Sequence, residues 1–178
     1  MNKIRNTGYH GTTRTNAEKI LQEQRFINST KANEWLGDGV YFFAYRSDAE
    51  WWVKANRYKN QKTEILKAEL AYNEEQLLDL DNSQQLLDME KFLQNYVQLQ
   101  SQRPDISSEI SSDISTEPWD KKLCWGCNVM KKLFPEIGII IYTFHKKNQY
   151  QYIPLRTNQR QICVSDHSII KHISRAMG

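Results

Sequence analysis

The sequence predicts an α+β domain in which short strands are flanked by peripheral helices. Three observations predict it. Residues 64–71 alternate, with Leu66, Ala68 and Leu70 on one side and Ile65, Lys67 and Glu69 on the other, the period of a half-buried strand. Residues 137–144, Ile-Gly-Ile-Ile-Ile-Tyr-Thr-Phe, form a continuous β-branched and aromatic run, as in a strand covered on both faces. Between them Leu86, Met89, Leu93, Tyr96 and Val97 recur with a helical period. The elements do not follow the regular alternation of βαβ units.

Taken in order, residues 5–10 read as a short strand. Thr15-Asn16-Ala17-Glu18 has the pattern of a capping box, opening a helix over about 16–24 with Ala17, Ile20 and Leu21 inward. A polar loop follows Arg25-Phe26-Ile27, and Trp35-Leu36-Gly37-Asp38-Gly39 turns the chain into the strand Val40–Phe43. Ser47-Asp48-Ala49-Glu50 repeats the capping pattern, opening a helix that carries Trp51, Trp52, Ala55 and Tyr58, with one of the tryptophans in the core.

Leu77–Asp81 reads as a strand and Ser83–Leu99 as a helix. Gln102–Pro118 is rich in Ser, Asp and Glu and reads as an exposed loop, so residues 82–118 are taken as an insertion or mobile segment in one domain, 1–178. Trp119–Phe134 has helical spacing and Pro135 stops it. Gln151–Leu155 and Gln161–Val164 read as strands. A last helix is expected over His167–Arg175.

A chain of 178 residues is long enough to bury an ordinary core. Its mean hydropathy of −0.72 and 25% charged residues describe a soluble protein with no membrane span. Three cysteines, Cys124, Cys127 and Cys163, are odd in number and without an apolar leader segment point to a reducing cytoplasm. Cys124-x-x-Cys127 lacks a second ligand pair, so helix packing is its reading and no metal is expected.

The net charge of +3 is unevenly spread. Residues 1–60 carry 10 basic and 6 acidic side chains, residues 61–118 carry 4 and 12, and residues 119–178 carry 10 and 3. Two basic segments frame an acidic middle, which suits a dinucleotide or a nucleic-acid backbone equally well.

Gly8-Tyr9-His10-Gly11-Thr12, the strand Gly37-Asp38-Gly39-Val40-Tyr41-Phe42-Phe43 and the late segment 158–166 carry the chemistry. Read alone, His10 suits a turn or core position, whereas Gly11 beside it lets a ligand approach the main chain. In that order these segments resemble the NAD-binding half of ADP-ribosyltransferases of the diphtheria-toxin and poly-ADP-ribose-polymerase type. The resemblance implies a split β-sheet with peripheral helices, and NAD as substrate. It implies that His10 holds the adenosine ribose, that the Gly11 main chain holds the carboxamide, and that Thr12 is their polar companion. Tyr41 and Trp52, eleven residues on, would clamp the nicotinamide ring by stacking and cation–π attraction, with Ser47 at the start of the same helix in the cofactor set. Arg14 is a pyrophosphate contact by charge and position.

The family's glutamate falls at Gln161, so the catalytic set His10-Tyr41-Gln161 replaces His-Tyr-Glu. Glutamine keeps hydrogen bonds but lacks the charge that stabilises an oxocarbenium ion, which disfavours polymer elongation. The resemblance implies a mono-ADP-ribosyltransferase with a macromolecular acceptor, protein or nucleic acid, acting as a toxin or defence effector with a neutralising antitoxin. The alternatives are a catalytically inactive NAD- or ADP-ribose-binding module and, third, an NAD-dependent RNA 2′-phosphotransferase-like enzyme.

Overall fold

Two ten-residue strands form the spine of the sheet in this computed structural model, which describes residues 3–31, 34–55, 58, 60–102, 114–146 and 157–177. Strand β1 (Ile4–Thr13) and strand β3 (Thr63–Tyr72) run antiparallel in unbroken register from Ile4↔Tyr72 to Thr13↔Thr63. The remaining strands are β2 (Val40–Phe43), β4 (Leu77–Asp79), β5 (Ile139–Lys146), β6 (Thr157–Val164) and β7 (Ile170–Arg175). Among the described residues they form one sheet in the order β4-β5-β6-β2-β1-β3-β7, antiparallel except for β4 on β5.

The sheet is narrowest in its middle. β2 pairs with β6 over four residues but meets β1 only at Tyr9↔Phe43. Two half-sheets therefore meet at a short join, and a cleft can open beside it.

Each face has its own core. On one, Val40, Phe42, Leu66, Ile139, Ile162 and Val164 pack with Phe26 and with Ala17 and Ile20 of helix α1 (Arg14–Glu23). On the other, Leu36, Ile140, Phe144 and Cys163 pack with Met89 and Leu93 of α3 (Ser83–Ser101) and with Cys127 and Met130 of α4 (Trp119–Leu133). Ile139, Ile140 and Ile141 are all buried, the two-faced burial that the unbroken apolar run predicts. No helix among the described residues is long and apolar enough to cross a membrane.

Several sequence expectations are corrected. The helix α1 starts at Arg14, and its N-cap is Thr13, whose side chain accepts from the Asn16 amide at 3.3 Å. The reason is the β ladder: Arg14 N donates to Lys62 O at 2.7 Å, so the strand hands over directly to the helix and Thr15 falls inside it. Helix α2 (Arg46–Lys54) likewise begins before Ser47, with Tyr45 as a cap that makes no side-chain bond, and it ends before Tyr58. Neither tryptophan of α2 is fully buried: Trp52 is half-buried against Phe43 and Trp51 is exposed.

The helix expected over Ser83–Leu99 is present as α3, with Met89 and Leu93 in the core. Residues 103–113, in the expected loop, and the expected strand Gln151–Leu155 lie outside the described residues.

The terminal helix is replaced by one 3₁₀ turn (His167–Ile169) and β7, which pairs with β3. A bulge explains the misreading. His172 has φ 48°, and the register shifts by one between Lys67↔Ser174 and Glu69↔Lys171. The extra residue puts Ile170 and Ile173 on one face three positions apart, which imitates a helical period in a strand.

Candidate functional site

A part-buried hydrogen bond from β1 bridges the join between the half-sheets. His10, on β1 beside the Tyr9↔Phe43 pair, hydrogen-bonds the Tyr41 carbonyl at 2.8 Å through Nδ1. A carbonyl only accepts, so Nδ1 carries the proton and Nε2 is left as an acceptor. Burial lowers the imidazole's proton affinity below its ordinary value, outweighing the Tyr41 bond, which raises it. The ring is neutral at pH 7 and packs edge-on to Phe26, 5.0 Å between centroids.

This depression has a consequence for stability. The unfolded chain takes up a proton at His10 near pH 6.5 while the folded chain still resists it. Stability is therefore fully present above pH 6.5 and declines as the pH falls through and below that value. Urea unfolding between pH 7.5 and 5 is expected to show this slope, and His10→Gln, which keeps a donor for the carbonyl, is expected to flatten it. Equal slopes in both proteins would refute the assignment; His167, also lowered by burial, contributes equally to both.

Around His10 lies a cavity of about 430 Å³. Its aromatic walls are Trp35, Tyr41, Phe43, Trp52 and Tyr58, its polar groups include Ser29 and Gln161, and its charged side chains are Lys31, Glu34 and Asp120. Gly11 and Gly39 offer main chain, and Ile27 and Val40 complete the lining. Of the sequence-predicted residues, His10, Gly11, Tyr41, Trp52 and Gln161 meet here. Thr12 is buried, exposed Arg14 pairs with Glu18 at 3.1 Å, and Ser47 is exposed on α2; all three are outside this lining.

Gly11 has a packing role as well as an open face. A Cβ there would lie 2.6 Å from Val53 Cγ1 and 2.9 Å from the Ala49 carbonyl oxygen, so α2 rests directly on β1. That contact brings Trp52 to the cavity wall.

Tyr41 holds its own loop. Its hydroxyl donates to Gly37 O at 2.6 Å and accepts from Leu36 N at 2.9 Å. Burial first, then the neighbouring Cys163 sulfur and Glu34 carboxylate, push its proton affinity far above the ordinary phenol range, so Tyr41 is no acid or base here. What it contributes to the cavity is a ring face.

The same loop is strapped to α4. Asp38 N donates to Asn128 Oδ1 at 2.7 Å, and Lys131 Nζ donates to Leu36 O at 2.8 Å, Asp38 O at 2.6 Å and Cys163 Sγ at 3.2 Å. Gly37 has φ 74°, a left-handed conformation that glycine adopts without strain, and Asn128 occupies the space a side chain would need. Trp35, next to this loop, packs on Phe144 at 4.4 Å.

Gln161 comes from β6, opposite Phe43, and is buried with Gln159. Its Nε2 donates to Gln159 Oε1 at 3.2 Å, which turns Oε1 to the remaining space, an amide orientation assigned from that bond. Apart from Lys31, the cavity's polar side chains are mainly acceptors: His10 Nε2, Gln161 Oε1 and two carboxylates.

Sequence reasoning missed Ile27, Ser29, Lys31, Glu34, Trp35, Tyr58 and Asp120. Six sit in loops without periodicity and the seventh, Asp120, in the first turn of α4. The one available signal was a tryptophan and a glutamate placed together just before Leu36-Gly37.

Compared with known proteins, the chain is 30% identical to an uncharacterized protein of Methanocaldococcus jannaschii, in an alignment covering 97% of this chain and 88% of the archaeal one. No family model matches the chain. No solved structure matches it.

Proposed function

We propose that this chain, which belongs to one family with the Methanocaldococcus jannaschii protein, is a mono-ADP-ribosyltransferase that uses NAD as its substrate. The observation that carries the reading is the cavity's composition: flat aromatic walls around hydrogen-bond acceptors and carboxylates. A pyridinium ring is flat and cationic and gains from stacking on Tyr41 and Trp52. A ribose presents hydroxyl donors, which His10 Nε2 and Gln161 Oε1 can accept. The volume suits nicotinamide and its ribose, with the rest of the dinucleotide leaving over the rim. The residues present therefore fit the group.

Within this reading His10 holds a ribose hydroxyl, the Gly11 main chain meets the carboxamide, and Gln161 orients the reacting ribose. NAD supplies the glycosidic bond that is broken. The acceptor is a macromolecule, protein or nucleic acid, and a cytoplasmic toxin or defence effector held by a neutralising partner is the biological setting proposed.

Nicotinamide release from NAD, with and without cell lysate, tests this. Lysate-dependent release that both His10→Ala and Gln161→Ala abolish is the expected result. NAD at about 100 times its dissociation constant is also expected to stabilise the protein by about 2.7 kcal/mol, and His10→Ala to remove that gain. No binding at all would sink the reading.

A second reading, an NAD-binding module without catalysis, is favoured by the neutral amide at Gln161 and predicts the melting shift without nicotinamide release. An RNA phosphotransferase activity ranks third. It calls for several arginines around the site, whereas Lys31 is the basic side chain of the cavity among the described residues.

A further inference from the structure

We propose that Glu34 is a catalytic residue of this cavity and supplies the negative charge that Gln161, a neutral amide, does not. This rests on the reading of the cavity as an NAD site and adds the residue that does the electrostatic work there.

Three observations point to Glu34. First, Glu34 and Gln161 line the same cavity, so a charge can reach the reacting centre from the wall to which Ser29, Lys31, Glu34 and Trp35 contribute. Second, its carboxylate is oriented. Ser29 Oγ donates to Glu34 Oε1 at 2.5 Å, and Ser29 is itself fixed by a two-way backbone bridge to Gly39, at 2.8 and 3.0 Å. The second carboxylate oxygen can face a substrate while the first keeps this bond.

Third, its backbone is held on both sides. Glu34 N donates to Lys31 O at 3.0 Å and Gly37 N to Glu34 O at 3.3 Å, in the loop that Tyr41 and Lys131 tie down. Such fixed placement lets a charge stabilise a transition state without reorganising first. The Glu34 charge also acts on the nearby Tyr41 phenol, after burial and Cys163. Asp120, the other carboxylate, sits in the first turn of α4, where compensation of the helix N-terminus accounts for it.

The step balances as follows. The bond between the ribose anomeric carbon and the pyridinium nitrogen breaks, and its electron pair neutralises that nitrogen. The positive charge left on the ribose is met by the Glu34 carboxylate. A lone pair of the acceptor, or of water in its absence, forms the new bond. The acceptor's proton passes through Glu34 to solvent. NAD and water thus give ADP-ribose, nicotinamide and one proton.

The test compares the full chain with Glu34→Gln and with Glu75→Gln, an exposed carboxylate outside the lining, measuring NAD affinity and the rate of nicotinamide release with and without lysate. Glu34→Gln is expected to lower kcat by about 100-fold or more and to leave NAD affinity within about threefold. Glu75→Gln is expected to retain release. If Glu34→Gln does not fold, Glu34→Asp carries the test, with kcat down about tenfold at unchanged affinity because the charge is retracted by one methylene.

Wild-type kcat in either Glu34 variant, with NAD still bound, overturns the role of Glu34 and leaves the NAD site standing. Binding without release by the parent chain overturns Glu34 catalysis and supports the binding module. Absence of NAD binding by the parent chain overturns both.

Discussion

Gly11→Ala is expected to destabilise the protein by about 3 kcal/mol, the upper part of the range for overpacking a tight contact. Val53 Cγ1, 2.6 Å from the added methyl, belongs to a side chain that can turn away. The Ala49 carbonyl, at 2.9 Å, belongs to the backbone of a fully buried residue and cannot. Helix α2 must therefore shift as a body. A loss of this size corresponds to a melting temperature lower by about 9 °C for a chain of this length. On the proposed reading of the cavity, NAD affinity should fall with it, because α2 carries Trp52. Adding Val53→Ala to the variant should recover only part of the stability, since the carbonyl remains. A melting temperature within 1 °C of the parent's would refute the contact.

Lys131→Met is expected to cost about 2–3 kcal/mol in urea unfolding, the range for losing charge-assisted bonds to groups that then lack a partner. Lys131, in the last turn of α4, delivers its ammonium to two carbonyls of one loop and to the Cys163 sulfur. Methionine keeps the stem's packing and removes all three bonds, so the effect reports the ammonium itself. Lys131→Arg retains the charge but has a planar head that cannot reproduce this three-way geometry, and should recover only part of the loss. Any fall in nicotinamide release by Lys131→Met would follow from looser placement of Glu34 and Trp35. An unchanged unfolding midpoint would show that the strap is not stabilising.

Local pattern was enough for β3 and β5. The alternation of 64–71 and the apolar run of 137–144 each leave a period or a length that one sequence displays. Element starts were less legible, because they depend on partners elsewhere: α1 begins at Arg14 on account of Lys62, which no local box can reveal. The terminal strand was misread for a related reason. A bulge at His172 changes the period of the inward residues, and a period of three is the stronger signal for a helix.

The site divides the same way. His10, Gly11, Tyr41 and Gln161 lie on strands, at fixed positions in recognisable segments. Ser29, Glu34 and Trp35 reach the cavity from a loop whose course is set by Asn128 and Lys131, some 90 residues later. A carboxylate arriving that way has no motif.

The bulged strand β7 also bears on how the molecule behaves among its own copies. Among the described residues it is the outermost strand on its side of the sheet, and an outermost strand offers backbone groups to any other chain that can lie flat against it. The kink at His172 twists that rim, and Lys171 and Arg175 charge it. At the opposite rim β4 is three residues long, too short to template another strand. Both rims thus discourage sheet-to-sheet growth, the first step of β-aggregation, which the seven strands of the described residues would otherwise invite.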